Sequence, residues 1–146
     1  MTAVFDAEPL LAFSFDEPGA GDVERWLVQV YDGDIDGYVT TINLAEFRYI
    51  AIRRTSVDIA DAHINDLLEM GVNTYDIDTM WEKAADVKAT FNPSLADAYA
   101  LAAAKELDDD DGRDTTLLVG ADDDYDVFED DEENSHLIER FRDDAA

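Results

Sequence analysis

Short apolar runs alternate along this chain with longer stretches of helical period, and that alternation predicts the architecture. Residues 2–5 (Thr-Ala-Val-Phe) read as a short strand, and residues 7–15 follow at once as a helix that stops near Pro18-Gly19. Val23, Trp26, Leu27 and Val30 recur at helical spacing, which predicts an amphipathic helix over 22–31, ended by Asp32-Gly33, with Trp26 facing the core. A second strand is expected over 38–42 and a helix over 44–54. A fourth helix, over 56–70, starts with a Ser56 cap and finishes at Gly71. A short strand over 72–75 and a helix over 77–89 come next, before the break at Asn92-Pro93. Residues 94–107 form an alanine-rich helix whose small side chains let it lie close against a sheet. A charged connection over 108–114 leads to a fourth strand over 115–119, and residues 135–141 predict one more short element, either a fifth strand or a terminal helix.

Strand, helix, strand, helix in this order predicts an α/β fold. The expected form is a three-layer α/β/α sandwich with a mostly parallel sheet of four or five strands, in which ligands bind beyond the carboxyl ends of the strands. With 146 residues, 47% of them hydrophobic, the chain suits a single domain over 1–146, closed by an acidic loop and terminal element from about residue 121. No apolar run is long enough to span a membrane, and the first residues lack a basic start followed by an apolar stretch, so a cytoplasmic protein is expected. Cysteine is absent and there are two isolated histidines, which argues against disulfides and against a zinc site.

Charge changes the picture most. The formal net charge is −27, with 26 aspartates against three lysines, Lys83, Lys88 and Lys105. Hydrophobic content is too high for a disordered acidic chain, so a folded protein adapted to concentrated salt is expected. At molar salt the Debye length shrinks to roughly 3 Å, and neighbouring surface carboxylates hardly repel one another. The acidity then reports habitat rather than partner.

With 37 acidic residues in the chain, any position is acidic about one time in four, so an acid has meaning only by context. Four have that context. Asp6 follows the first strand, Glu46 lies in Thr-Ile-Asn-Leu-Ala-Glu, Asp97 in Ser-Leu-Ala-Asp-Ala, and Asp122 follows the fourth strand. Parallel strands would carry all four to one edge of the sheet. Magnesium and manganese take hard oxygen ligands, and an ion so held activates a water against a phosphodiester.

These segments carry a resemblance. Val-Phe-Asp6-Ala with Leu10 and Leu11, then Thr41-Ile-Asn43-Leu-Ala-Glu46, then Ser94-Leu-Ala-Asp97-Ala with Ala102-Ala103, then Leu117-Leu-Val-Gly120-Ala-Asp122 occur in order over nearly the whole chain. In this the chain resembles the PIN-domain family, and within it the VapC-type toxins, small ribonucleases of bacterial and archaeal toxin–antitoxin pairs. The resemblance implies a Mg2+- or Mn2+-dependent endoribonuclease that needs no side-chain nucleophile. Asp6 and Asp97 would be the most direct ligands, Glu46 a ligand or the positioner of the attacking water, and Asp122 a second-site or water-mediated ligand with Asp124 as helper. An RNA substrate, an antitoxin partner and a homodimer are implied with it, the dimer through the helices over 22–31 and 56–70. Thr41, Asn43, Arg48, Arg53 and Arg54 are candidates for substrate or partner contacts. Gly120 departs from the family pattern, which usually has Thr or Ser there, a hydroxyl that helps shape the site.

Plainer roles compete with these. Ser94-Leu-Ala-Asp97 is also a capping box, and Asn43-Leu-Ala-Glu46 permits a similar role. Asp122, Asp124, Asp126 and Glu133 fall at positions one, three, five and twelve of a calcium loop, but Val127 stands where that loop requires glycine. The arginines either contact RNA phosphates or pair with Asp58, Asp61 and their neighbours. His63 and His136 are expected at the surface. Two alternative functions remain at this level: a degenerate, non-catalytic PIN-like binding module, and a haloacid-dehalogenase-like phosphatase. The phosphatase would need an aspartate where Glu8 stands.

Overall fold

The computed structural model describes residues 1–110 and 112–142; Asp111, in the charged connection, and residues 143–146, in the terminal segment, lie outside the described residues. The chain runs β1 (Thr2–Phe5), α1 (Ala7–Ser14), α2 (Ala20–Tyr31), β2 (Asp36–Thr40), α3 (Thr41–Arg54), α4 (Val57–Glu69), β3 (Asn73–Tyr75), α5 (Trp81–Phe91) and α6 (Leu95–Lys105). A π-helical turn (Glu106–Asp110) then leads to β4 (Thr115–Val119), a 3-10 turn (Asp123–Tyr125), α7 (Asp126–Glu129), a second 3-10 turn (Ser135–Leu137) and β5 (Ile138–Arg140).

The five strands form one sheet in the order β3-β2-β1-β4-β5, and every neighbouring pair is parallel. The expected α/β sandwich is therefore present. Alternation of side chains along the central strands divides the core in two. Ala3, Phe5 and Leu118 face a cluster that includes Leu10, Leu27, Phe47 and Leu67 from α1, α2, α3 and α4. Val4, Leu117 and Val119 face the opposite cluster, with Ala84 and Val87 of α5 and the buried alanines of α6. Ala98, Ala100, Ala102, Ala103 and Ala104 are all buried, so α6 lies against the sheet as its small side chains predict. Trp26 is partly buried against the first cluster.

The chain lays β2 and β3 to one side of β1, then crosses to β4 and β5 on the other. A crevice outside the carboxyl ends of strands opens at such a switch point. It lies here between the ends of β1 and β4.

Several boundaries differ from expectation for local reasons. The second strand ends at Thr40 instead of 42, because the Thr40 hydroxyl accepts the Asn43 N–H at 3.1 Å and starts α3 at Thr41 instead of 44. The helix expected over 77–89 begins only at Trp81 and runs on to Phe91, where Asn92 takes the left-handed conformation with φ 57°. Ser56 caps α4 through the Ile59 N–H, and Gly71 stands just past its end with φ 102°. The terminal element is a 3-10 turn followed by the edge strand β5, and the acidic stretch after β4 contains α7. His63 is only partly exposed, its ring tilted against that of Phe15 with centroids 4.9 Å apart; exposed His136 lies 3.0 Å from an Asp108 carboxylate oxygen. Among the described residues no helix is long and apolar enough to cross a membrane.

Candidate active site

Asp6 leaves the end of β1 and caps α1. Its Oδ1 accepts the Ala7 N–H at 2.8 Å and the Asn43 side-chain amide at 3.2 Å, and its Oδ2 accepts the Tyr125 hydroxyl at 3.0 Å. The carboxyl is buried, and that burial pushes its pKa up to about 7; the Ala7 N–H opposes the shift, and the charges of Glu46 and Asp122 add to it.

Asp97 occupies the first turn of α6, where Ser94 caps the helix by accepting the Asp97 N–H at 3.2 Å. Only half of a capping box forms. The Ser94 N–H donates to Asp124 Oδ2 at 2.8 Å instead of to Asp97, whose carboxyl is thereby left for the crevice. Its Oδ1 lies 3.1 Å from the Tyr125 hydroxyl, and its buried Oδ2 has no hydrogen-bond partner. Burial first, then the charges of Asp6 and Asp122, push the Asp97 pKa up to about 9. No cation pairs with Asp6 or Asp97 among the described residues.

Asp122 follows β4 and accepts the Asp124 N–H at 2.9 Å. One carboxylate oxygen from each of Asp97, Asp122 and Asp124 lies within 4.8 Å of the others. Glu46, on α3, is half-buried, and burial together with the Asp122 charge raises its pKa. Asp6, Glu46, Asp97 and Asp122 all line one groove of about 370 Å³, with Glu8, Glu17, Arg54 and Arg142 on its walls.

Asn43 is buried and links elements: it donates to Asp6 and, at 3.4 Å, to the Ala96 carbonyl, while its own side-chain oxygen accepts from Thr40. Thr41, expected beside it as a contact residue, is exposed at the start of α3; the buried threonine of the network is Thr40. Arg48 pairs with Asp61 at 2.9 Å, and Arg53 donates to the Tyr49 hydroxyl at 3.0 Å. Arg54 pairs with Glu17 at 2.7 Å on the groove wall. The calcium-loop acids diverge. Asp126 pairs with Arg140 and Glu133 with Lys105, whereas the oxygens of Asp122 and Asp124 converge with that of Asp97.

Tyr125 is the main member that sequence reasoning missed. It is fully buried, packs edge-on against Phe128 and touches both Asp6 and Asp97 with one hydroxyl. That hydroxyl has one proton to donate, so it serves one carboxylate at a time; a proton retained by Asp97 can satisfy the second contact. Burial and the two neighbouring carboxylates raise the Tyr125 pKa well above its ordinary value.

A sequence model of the PIN domain matches residues 3–130. The chain belongs to the PIN domain family. No curated protein matches it in sequence. Among solved structures, the crystal structure of VapBC2 from Rickettsia felis bound to a DNA fragment from their promoter contains a similar chain, with a TM-score of 0.71. The alignment covers 96% of this chain and 98% of that one at 11% identity, so the likeness is one of fold.

The residues of this PIN domain suit a hard divalent cation. The donor set is all carboxylate, and the unpartnered buried oxygen of Asp97 belongs to the triad of acids whose ligand oxygens converge. Burial raises the pKa of Asp6 and Asp97, so these two acids keep protons that ordinary carboxylates release, which eases their burial without a counter-charge.

Proposed function

We propose that this protein is a Mg2+- or Mn2+-dependent endoribonuclease, the toxin of a VapBC-type toxin–antitoxin pair. The observation that carries the proposal is the convergence of Asp6, Glu46, Asp97 and Asp122 on one groove at the sheet's switch point, with a buried Asp97 oxygen left unpartnered. Asp97, Asp122 and Asp124 would hold the ion with Asp6 beside them, and the bound ion would lower the pKa of a water and stabilise charge on phosphate oxygens.

The chain's own residues prepare that chemistry. Asn43 and Tyr125 fix the Asp6 carboxylate from two sides, and Tyr125 ties it to Asp97. Glu46, half-buried and more basic than an ordinary glutamate, orients the attacking water and takes its proton. Arg54 is 44% exposed on the groove wall and contacts an RNA phosphate next to the cleaved one. Such short-range contacts suit a protein in molar salt, where long-range attraction to a polyanion is weak. The acidic exterior belongs to a halophile's cytoplasmic protein.

The antitoxin covers the acidic groove with its C-terminal segment. Homodimerisation uses the apolar side chains that α2 and α4 expose, namely Val28, Tyr31, Val57, Ile59 and Leu68. Cleavage of RNA by the purified protein in molar potassium chloride tests the activity. Cutting that requires Mn2+ or Mg2+ and disappears with EDTA and in Asp6→Asn supports it; no cutting by a folded, metal-supplied sample favours the degenerate binding module.

A further inference from the structure

Glu8 is an acid on the groove wall with a partner set of its own. Its side chain leaves the first turn of α1 and fills the space beside Gly120, where a Cβ on the glycine would overlap the carboxylate. There Oε2 accepts the Ala121 N–H at 2.9 Å and the Arg142 Nε–H at 3.1 Å. Arg142 is itself held: Nη1 donates to the Pro18 carbonyl at 3.0 Å, and Nη2 lies 3.5 Å from Glu17. The opposite side of the same loop is gripped by Arg140, whose Nη1 donates to the Gly120 carbonyl at 2.7 Å and the Asp122 carbonyl at 3.2 Å. Asp126 and Glu129 orient that guanidinium. The short bridge from β4 to Asp122 thus has two carbonyls fixed by Arg140 and one amide fixed by Glu8.

We propose that Glu8 is a positioning residue for Asp122, and that residue 120 is glycine in order to admit its carboxylate. The proposal rests on the nuclease function argued above. Asp122 has to present an oxygen to the same point as Asp97 and Asp124, and it stands on a loop rather than in β4. A charged acceptor on the Ala121 amide is a stronger restraint than a neutral one. Arg142 neutralises the added carboxylate, so the loop gains an anchor without a further net negative charge facing a phosphate. Partners of this kind orient metal ligands, and losing one typically costs about 10–100-fold in metal affinity or activity.

Gly120 makes the proposal testable by two routes. Any side chain at 120 displaces the far end of Glu8, a flexible group that moves without disturbing the sheet. Glu8→Ala and Gly120→Ala therefore remove the same hydrogen bond, and losses through a shared contact do not add. The experiment measures Mn2+ affinity, RNA cleavage and thermal unfolding in molar potassium chloride for wild type, Glu8→Ala, Glu8→Gln, Gly120→Ala and the Ala/Ala double variant. Expected are a loss of about tenfold in Mn2+ affinity for each Ala variant, no further loss in the double, and a smaller loss in Glu8→Gln than in Glu8→Ala, because its neutral amide oxygen still accepts from Ala121. Wild-type Mn2+ affinity and cleavage in Glu8→Ala, whatever its melting temperature, would overturn the role of Glu8 alone. Fully additive losses would overturn the link to Gly120. A wild type that neither binds Mn2+ nor cuts RNA would remove the nuclease function, and the role of Glu8 with it.

Discussion

Asp97 and Asp61 carry the same carboxylate in opposite settings. Asp61 is half-exposed on α4 and accepts from the Arg48 guanidinium at 2.9 Å, an ordinary surface pair. Asp97 is 3% exposed, faces Asp6 and Asp122 instead of a cation, and leaves one oxygen unpartnered. A surface pair contributes about 0–1 kcal/mol, whereas a buried, unpaired carboxylate opposes folding and avoids the cost by keeping its proton. In a chain this acidic, negative charge marks nothing; burial without a counter-charge marks the site.

The largest expected difference between the two residues is in catalysis. Asp97→Asn should lower RNA cleavage by more than about 100-fold, beyond what loss of a residue supporting a ligand costs, while Asp61→Asn leaves it unchanged; equal effects in a cleavage assay would erase the distinction. Next in size is the pH dependence of the metal-free protein. The folded pKa values, about 7 for Asp6 and about 9 for Asp97, stand above the ordinary value of 3.8, so the folded form keeps protons that the unfolded chain has released. Stability from this source is fully present below about pH 4 and is lost as pH rises toward 9. Thermal melts with EDTA should fall across that window, and Asp97→Asn should flatten the upper part of the fall.

A smaller effect is expected from Tyr125→Phe. Removing the hydroxyl leaves two buried acceptors with one donor fewer, a cost of about 1–3 kcal/mol in urea unfolding, and should weaken Mn2+ binding by about tenfold. Unchanged affinity would make Tyr125 a core residue only. Smallest of all, Asp61→Asn should cost less than about 1 kcal/mol in low salt and still less in molar potassium chloride.

Much of the fold was legible because period and punctuation agree along the chain. Val4 and Phe5 end β1 at Asp6, Leu117 to Val119 end β4 just before Gly120, and the alanines of α6 announce a helix packed on a sheet. Where the expectation slipped, a contact invisible to periodicity decided. Thr40, Thr41 and Ile42 are β-branched and read as strand, but the Thr40 hydroxyl caps α3 and takes the last two into the helix. The terminal element was undecided because β5 is a three-residue edge strand that borrows its order from β4.

The site was legible as positions and illegible as connections. Asp6, Glu46, Asp97 and Asp122 stand out at the ends of apolar runs, and the structure brings them to one groove. Whether Ser94 and Asp97 form a closed capping box depends on Asp124, thirty residues away along the chain. Nothing local to Tyr125 predicts that its hydroxyl spans to Asp6 and Asp97, since it stands among Asp122, Asp123, Asp124 and Asp126 in a stretch that reads as an acidic loop. Gly120 read as a missing hydroxyl; in space it is the room that Glu8 occupies.

A carboxylate cluster built around buried Asp6 and Asp97, which keep protons while no ion is bound, and completed by exposed Asp122 and half-buried Asp124, is a divalent-cation site. Calorimetric titration of metal-free protein with Mn2+ at pH 7 in molar potassium chloride, repeated in buffers of different ionisation enthalpy, tests it most directly. Binding should release about one proton or more per ion, because carboxylates must lose their protons to become ligands, and Asp97→Asn should bind little. No Mn2+ uptake, or uptake without proton release and unchanged in Asp97→Asn, would contradict it.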